Sequence, residues 1–471
     1  MKIMNVLNEL IDKKPDKKIL VMNEKVYTYK DIKLQINKWK IIFKHREISE
    51  NDKVIIYIKN PIEFVGAYIA LCDLNCVIIP VDISSNLKTM SNIIQSSKAN
   101  AIISSEILPF HSFIKARSKI SGHLLYLTIY EREIIKGNIM EMFYTSGTTG
   151  LPKCVMFSKQ SINNNVLNMM KILNLSEKDV IYTPISLVLP ATLNTVLLPA
   201  LLSGTKIFAS DSSIPSRVLQ NIVEQNITVF FAVPFYYKLL VSNRLCKEEY
   251  WKNVRLCLTS SAYLSEEGFT EFYEKTNKML HSIYCSSEAG TIAYNDANDI
   301  NTLKRYVGRP LDGCEVSLLD VNNDGIGEII VRGNMTSSKY YLNDELNEKV
   351  FYDDWVRTGD IGSINEDGYL ELKGRISDTI NIAGHLVNPL EIEQIVMKNA
   401  AVKDALVYRY MNNVGNEMLG IKIVRKKNIS LNEKEVIQYC EKAFPNYKVP
   451  KKVIFVDDIE TGRYGKKKRF D

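Results

Sequence analysis

The sequence predicts an α/β protein of two or three domains, and three observations carry that expectation. Residues 54–58, VIIYI, form a short β-branched run that reads as a buried strand. Residues 61–74 follow with Ile62, Val65 and Ile69 on one helical face, and residues 77–82, VIIPVD, read as a second strand. Strand, helix and strand in that order suggest a parallel layer covered by helices. The third observation is size: 471 residues can bury large cores and exceed what one core usually serves.

Composition narrows the class. Hydrophobic residues make up 46% and charged residues 24%, as in a soluble globular protein. The net charge of +6 comes from 60 basic and 54 acidic residues, which calls for no nucleic acid. The eight cysteines show no CxxC and no Cys/His cluster, which argues for a reduced, cytoplasmic setting and against structural zinc. The N-terminus has no long apolar core or cleavage site, so no signal peptide is expected. No apolar run reaches membrane-spanning length, and residues 195–202 are short and carry Pro199.

The stretch 144–153, YTSGTTGLPK, carries the chemistry. Thr145, Ser146, Gly147, Thr148, Thr149 and Gly150 are all small and bring four hydroxyls and accessible backbone N–H groups, a composition suited to folding round a polyanion. Lys153 follows as a point charge for a phosphate. Residues 140–144 are apolar enough for a strand, so the loop is expected at a strand end. Composition alone fits a surface linker equally well. A Walker A loop is excluded, because Leu151 and Pro152 separate Gly150 from Lys153.

Residues 146–153 match throughout a Ser-Gly-Thr-Thr-Gly-x-Pro-Lys loop, and the stretch resembles the phosphate loop of the adenylate-forming superfamily: acyl-CoA synthetases, peptide-synthetase adenylation domains and firefly luciferase. Cys154 stands where that family usually has Gly. Further motifs follow in the family's order. Residues 27–32 and the strand end 79–82 look like its early landmarks. Residues 161–173 look helical. Residues 183–204 are nearly all apolar and read as a core helix; in the family this region supplies pocket residues for the acid. The His common in acyl-CoA synthetases is absent, since Ser186, Leu187, Val188 and Leu189 fill its turn. No acidic residue lies between Thr183 and Gly204, so the resemblance disfavours an α-amino acid and favours an apolar or aromatic carboxylic acid.

Residues 228–240 match a strand, Val-Pro turn and helix of the family. Residues 255–264 align with a segment whose backbone passes the adenine, with Ser260-Ser261 for the usual Gly-Gly before Ala262, and Tyr263 for a common Pro. Tyr284-Cys285-Ser286-Ser287-Glu288 resembles Tyr-Gly-x-Thr-Glu. By that resemblance Tyr284 stacks on adenine, Ser287 meets the α-phosphate and the acid, and Glu288 binds Mg²⁺, a hard cation suited to carboxylate oxygen. Residues 324–333 read as a Gly turn and strand. Asp360, expected on a Gly turn, takes the ribose hydroxyls in the family; as an isolated residue it would read as a turn cap.

The resemblance divides the chain into residues 1–374, a large N-terminal domain of layered α/β subdomains that binds ATP and the acid, and residues 375–471, a small mobile α+β C-terminal domain. Arg375 would contact ribose or phosphate. Ser377 takes the hinge position usually held by Asp or Lys, and Gly384 lies where a pantetheine arm passes. Asn388, Pro389 and Glu391 read as N-cap, N1 and N3 of a helix. The end resembles the family's Gly-Lys-x-x-Arg, which gives Lys466 the catalytic place and makes Lys467 the fallback. A basic run of this kind, taken alone, reads as a solvated tail.

The expected activity is ATP-dependent ligation of a carboxylic acid to a thiol, belonging to coenzyme A or to the phosphopantetheine of an acyl or peptidyl carrier protein. Two alternatives remain: a degenerate nucleotide binder without turnover, motivated by Cys154, Ser260-Ser261 and Ser377, and an adenylating enzyme with a non-thiol acceptor.

Overall fold

A computed structural model describes residues 2–22, 24–120, 122–145, 153–210, 212, 214–260, 264–382, 385–412, 417–426 and 429–460. Its large N-terminal part is built on two mixed sheets. The first has eight strands in the order Lys339–Tyr340, Lys153–Ser158, Ile139–Thr145, Val77–Pro80, Lys53–Tyr57, Ala101–Ser104, His123–Thr128 and Ile114–Ile120. Its four middle strands, from Ile139–Thr145 to Ala101–Ser104, run parallel, and the flanking strands are antiparallel. The second has nine strands. Six consecutive ones are parallel: Leu280–Ser286, Leu256–Ser260, Val229–Ala232, Val180–Tyr182, Lys206–Ala209 and Lys18–Met22. Buried parallel strands read as continuous apolar runs, and Lys53–Tyr57 is buried along its whole length.

The helix Pro61–Asp73 forms where the sequence predicts it. The Asn60 side chain accepts from the Ile62 N–H at 3.1 Å, and Pro61 supplies a preset φ at the first position. It buries more than the predicted stripe, because it packs against the helix Tyr29–His45 within a core that draws on both sheets. That approach is close: a Cβ on Gly66 would lie 2.3 Å from the Gln35 Cβ. The apolar stretch 183–204 differs from the single helix expected. Residues 183–189 are not helical, and the rest is Pro190–Thr192, a π turn at Leu193–Leu197, and Leu198–Ser203. Pro190 starts the helix at its first position. Pro199 has no N–H for the Thr195 carbonyl, and the turn ahead of it widens, so that the Leu198 N–H reaches back to Leu193 O.

Five antiparallel strands follow: Cys314–Leu319, Gly327–Gly333, Phe351–Tyr352, Trp355–Ile364 and Leu370–Arg375. The last of these strands ends at Arg375, the residue at which the C-terminal domain is expected to begin. A 3₁₀ turn at Ile376–Asp378 leads to a small α+β unit. That unit has the hairpin Ile380–Ile382 and His385–Val387, the helices Pro389–Met397 and Glu433–Ala443, and a three-stranded sheet of Val402–Met411, Glu417–Arg425 and Lys452–Phe455. Ile392, Val407, Ile421 and Cys440 lie in a core of its own.

All eight cysteines are free thiols. Burial pushes Cys76, Cys154 and Cys314 up to about 12 and Cys440 to about 11, and raises Cys72, Cys246 and Cys257 in the same direction. Among the described residues no helix is long and apolar enough to cross a membrane.

Candidate active site

The small-residue loop closes a hairpin, as its sequence neighbours suggest. Thr145 and Lys153 are partners in the antiparallel pairing of Ile139–Thr145 with Lys153–Ser158, and the Thr145 hydroxyl reaches the Lys153 carbonyl at 3.5 Å. Ser146, Gly147, Thr148, Thr149 and Gly150 lie outside the described residues, as do Ser261, Ala262, Gly384 and Lys466. Behind the loop, Cys154 is buried, and its carbonyl accepts from the Tyr341 N–H at 2.9 Å.

Within the strand Ile139–Thr145 lies a buried carboxyl that sequence reasoning missed. Glu141 is fully buried; it accepts from the Tyr68 hydroxyl and, at 3.2 Å, from the Asn194 amide. Burial pushes its carboxyl up to about 7, against the pull of those two donors. Asn194 belongs to the π turn, so Glu141 ties the strand leading to the loop to the apolar segment expected to line the acid pocket.

Glu288 sits in the connection between Leu280–Ser286 and the antiparallel strand Gly290–Tyr294. The Ala289 N–H donates to the Ser286 hydroxyl at 2.9 Å, and Gly290 takes φ +68°, where a Cβ would lie 2.8 Å from the Met335 carbonyl. This shape leaves Ser287 exposed and Glu288 half-buried. The Tyr340 hydroxyl donates to Glu288 Oε1 at 2.5 Å. Nothing in the sequence pointed to Tyr340, which lies 52 residues from its partner.

Tyr284, Asp360 and Arg375 meet directly. The Tyr284 hydroxyl donates to Asp360 Oδ2 at 2.7 Å, and Arg375 Nε lies 2.8 Å from Oδ1. Asp360 is not on the turn that was expected: it lies within the strand Trp355–Ile364, paired with Arg375 across the ladder. Gly359 ahead of it takes φ +69° within the strand, so a Gly that reads as a turn former here serves a local twist. Burial raises the Asp360 carboxyl above its usual range, with Arg375 and Tyr284 pulling the other way. Asp360 in turn raises the Arg375 guanidinium. The Tyr284 ring is itself buried, at 5% exposure. At the end of the neighbouring strand, Ser260 Oγ lies 3.2 Å from Cys285 Sγ, so two positions that depart from the family pattern touch.

Among the described residues no three His, Cys, Asp or Glu side chains cluster as a dedicated metal cage. One half-buried carboxylate, Glu288, fits Mg²⁺ in its usual role beside a nucleotide, where phosphates and waters supply the remaining oxygens.

The family model for AMP-binding enzymes matches residues 7–341, and that for the AMP-binding enzyme C-terminal domain matches residues 391–466. A probable CoA ligase of Humulus lupulus is 27% identical over 336 residues, 69% of this chain and 64% of that protein, so this alignment spans just under two thirds of the relative. A long-chain-fatty-acid–CoA ligase of Mycobacterium tuberculosis is 24% identical over 462 residues, 93% of this chain and 91% of the relative. The solved structure of ATP-bound MatB from Rhodopseudomonas palustris superposes with a TM-score of 0.85 at 21% identity, covering 98% of this chain and 97% of that one.

Proposed function

Because the chain belongs to the AMP-binding enzyme family, we propose that it adenylates an apolar or aromatic carboxylic acid with ATP and passes the acyl group to a thiol, that of coenzyme A or of a carrier-protein phosphopantetheine. The observation that carries this reading is the contact of three motif residues, Asp360 and Arg375 on neighbouring strands and Tyr284 from 76 residues before Asp360.

In the first half-reaction a carboxylate oxygen attacks the α-phosphorus. An oxygen–phosphorus bond forms, the bond to the β-phosphate oxygen breaks, and pyrophosphate leaves from acyl-AMP. Negative charge gathers round phosphorus as this happens. Lys153, the loop 145–150 and Lys466 offset it, and Ser287 donates to the α-phosphate and the acid. Asp360 holds the ribose and Arg375 contacts ribose or phosphate, with Tyr284, Ser261 and Ala262 beside the adenine. Glu288 would hold Mg²⁺, which when bound draws charge from the phosphate oxygens. In the second half-reaction the C-terminal unit, residues 375–471, turns about Ser377 and withdraws Lys466. The thiol then attacks the acyl carbonyl, a thioester forms and AMP leaves. The separate core of residues 380–453 supports the division after residue 374. Eight free thiols suit a reducing cytoplasm.

The acid class is supported by the buried Ile185, Leu187 and Val188 and by the absence of any carboxylate between Thr183 and Gly204. Acid-dependent ATP–pyrophosphate exchange, run from fatty acids through aryl acids to amino acids, tests the proposal. Exchange with an aliphatic or aryl acid and none with amino acids is expected; coenzyme A, carrier protein and amines are then compared as acceptors. ATP binding without exchange for any acid would overturn ligation in favour of a degenerate nucleotide binder.

A further inference from the structure

Glu288 is gripped from one side by a single short segment. The Ser337 N–H donates to the Glu288 carbonyl at 2.9 Å, and three residues later the Tyr340 hydroxyl donates to Oε1. Among the described residues no hydrogen bond engages Oε2. Tyr340 has little freedom of its own. Its N–H donates to Asn347 Oδ1 at 2.7 Å, its carbonyl accepts from Asn347 Nδ2 at 3.0 Å, and its ring meets Phe351 edge-on at 5.8 Å. It is 4% exposed.

The same segment reaches the phosphate loop. Lys339 and Tyr340 pair with Met156 and Val155 in the strand that starts at Lys153. Tyr341 is anchored on the far side, where its hydroxyl contacts the fully buried Lys53 Nζ at 2.8 Å and Glu133 at 2.5 Å. One rigid ribbon therefore joins the exit of the loop to the carboxylate.

We propose that Tyr340 is a positioning residue for the divalent cation of the nucleotide: by occupying Oε1 it fixes the rotamer of Glu288 and leaves Oε2 for the metal, in register with Lys153. A carboxylate held this way loses less freedom when it takes a cation, and hydrogen-bonded partners of ligating carboxylates commonly set metal affinity. The inference rests on the assignment of Glu288 as the Mg²⁺ carboxylate.

The test is binding of a non-hydrolysable ATP analogue by calorimetry, with and without Mg²⁺, for the parent, Tyr340→Phe and Glu288→Gln; Mn²⁺ paramagnetic resonance gives a second readout of the metal. Tyr340→Phe is expected to raise the half-saturating metal concentration roughly ten-fold while leaving metal-free nucleotide affinity unchanged. Glu288→Gln is expected to remove most of the metal's effect. A normal metal response in Tyr340→Phe, with a weakened one in Glu288→Gln, overturns the role of Tyr340 alone. A normal response in Glu288→Gln overturns the metal assignment beneath it. Equal weakening of metal-free and metal-dependent binding in Tyr340→Phe marks a purely structural role and also overturns the inference.

Discussion

Asp360 shows how much one carboxylate can be asked to do. It is nearly excluded from water, and its charge is offset by Arg375 and a phenol rather than by solvent. Removing it takes this acceptor from Arg375 and Tyr284 and, on the proposed assignment, removes two acceptor oxygens for a ribose. Hydrogen bonds to charged groups are worth about 1.5–3 kcal/mol, so Asp360→Ala should weaken ATP binding by roughly ten- to a hundred-fold, measured by nucleotide titration. Unchanged ATP affinity would remove the ribose assignment. The residue itself was legible in the motif Trp355-Val356-Arg357-Thr358-Gly359-Asp360, but its clasp was not. Arg375 reaches it as its partner on the next strand, and Tyr284 only through the packing of a second sheet, which no local spacing encodes.

At the level of elements, the helix Pro61–Asp73 was readable because Ile62, Val65 and Ile69 mark one helical face; its Asn60 cap is what the structure adds. The stretch 183–204 was not, since an all-apolar run has no period to show where a helix begins. Its break and π turn come from two prolines and from tertiary bonds such as Asn194 to Glu141. That bond has a pH signature. The folded Glu141 carboxyl, at about 7, lies above its ordinary value of 4.5, so the folded state gains the proton more readily than the unfolded one. Its contribution is whole below pH 4.5 and is lost as pH rises through 7, a change on the order of 3 kcal/mol. Glu141→Gln cannot ionise, and the Tyr68 hydroxyl can turn to accept from its amide. Denaturant titrations at pH 5 and pH 8 should therefore show the variant gaining relative to the parent at the higher pH. An identical pH dependence in both proteins would mean that Glu141 does not titrate in this range.

At the scale of the whole molecule, the order of motifs along the chain was the legible feature, from the loop at 145 to the basic end at 466. Around the expected division after residue 374, the chain is tied by specific contacts. The Asn388 amide donates to the Lys373 carbonyl at 2.5 Å, and a Cβ on Gly374 would lie 2.7 Å from that same amide. The proposed domain rotation predicts that the two half-reactions depend differently on the far end of the chain. Lys466→Ala should slow adenylation by about a hundred-fold or more, the scale of losing one charge-stabilising donor, while sparing thioester formation from supplied acyl-AMP. Equal loss in both half-reactions, assayed separately, would refute a role confined to the first.

The burial of the thiols acquires a meaning in this light. Acyl-AMP is a strong acylating agent and takes whatever sulfur nucleophile comes within reach, and thiolate rather than thiol is the reactive form. With buried thiols such as Cys154 and Cys314 pushed up to about 12, these sulfurs stay protonated at neutral pH. On the proposed function, acyl groups bound for an external thiol would bypass these buried cysteines, and chemical selectivity would begin in the packing of the core.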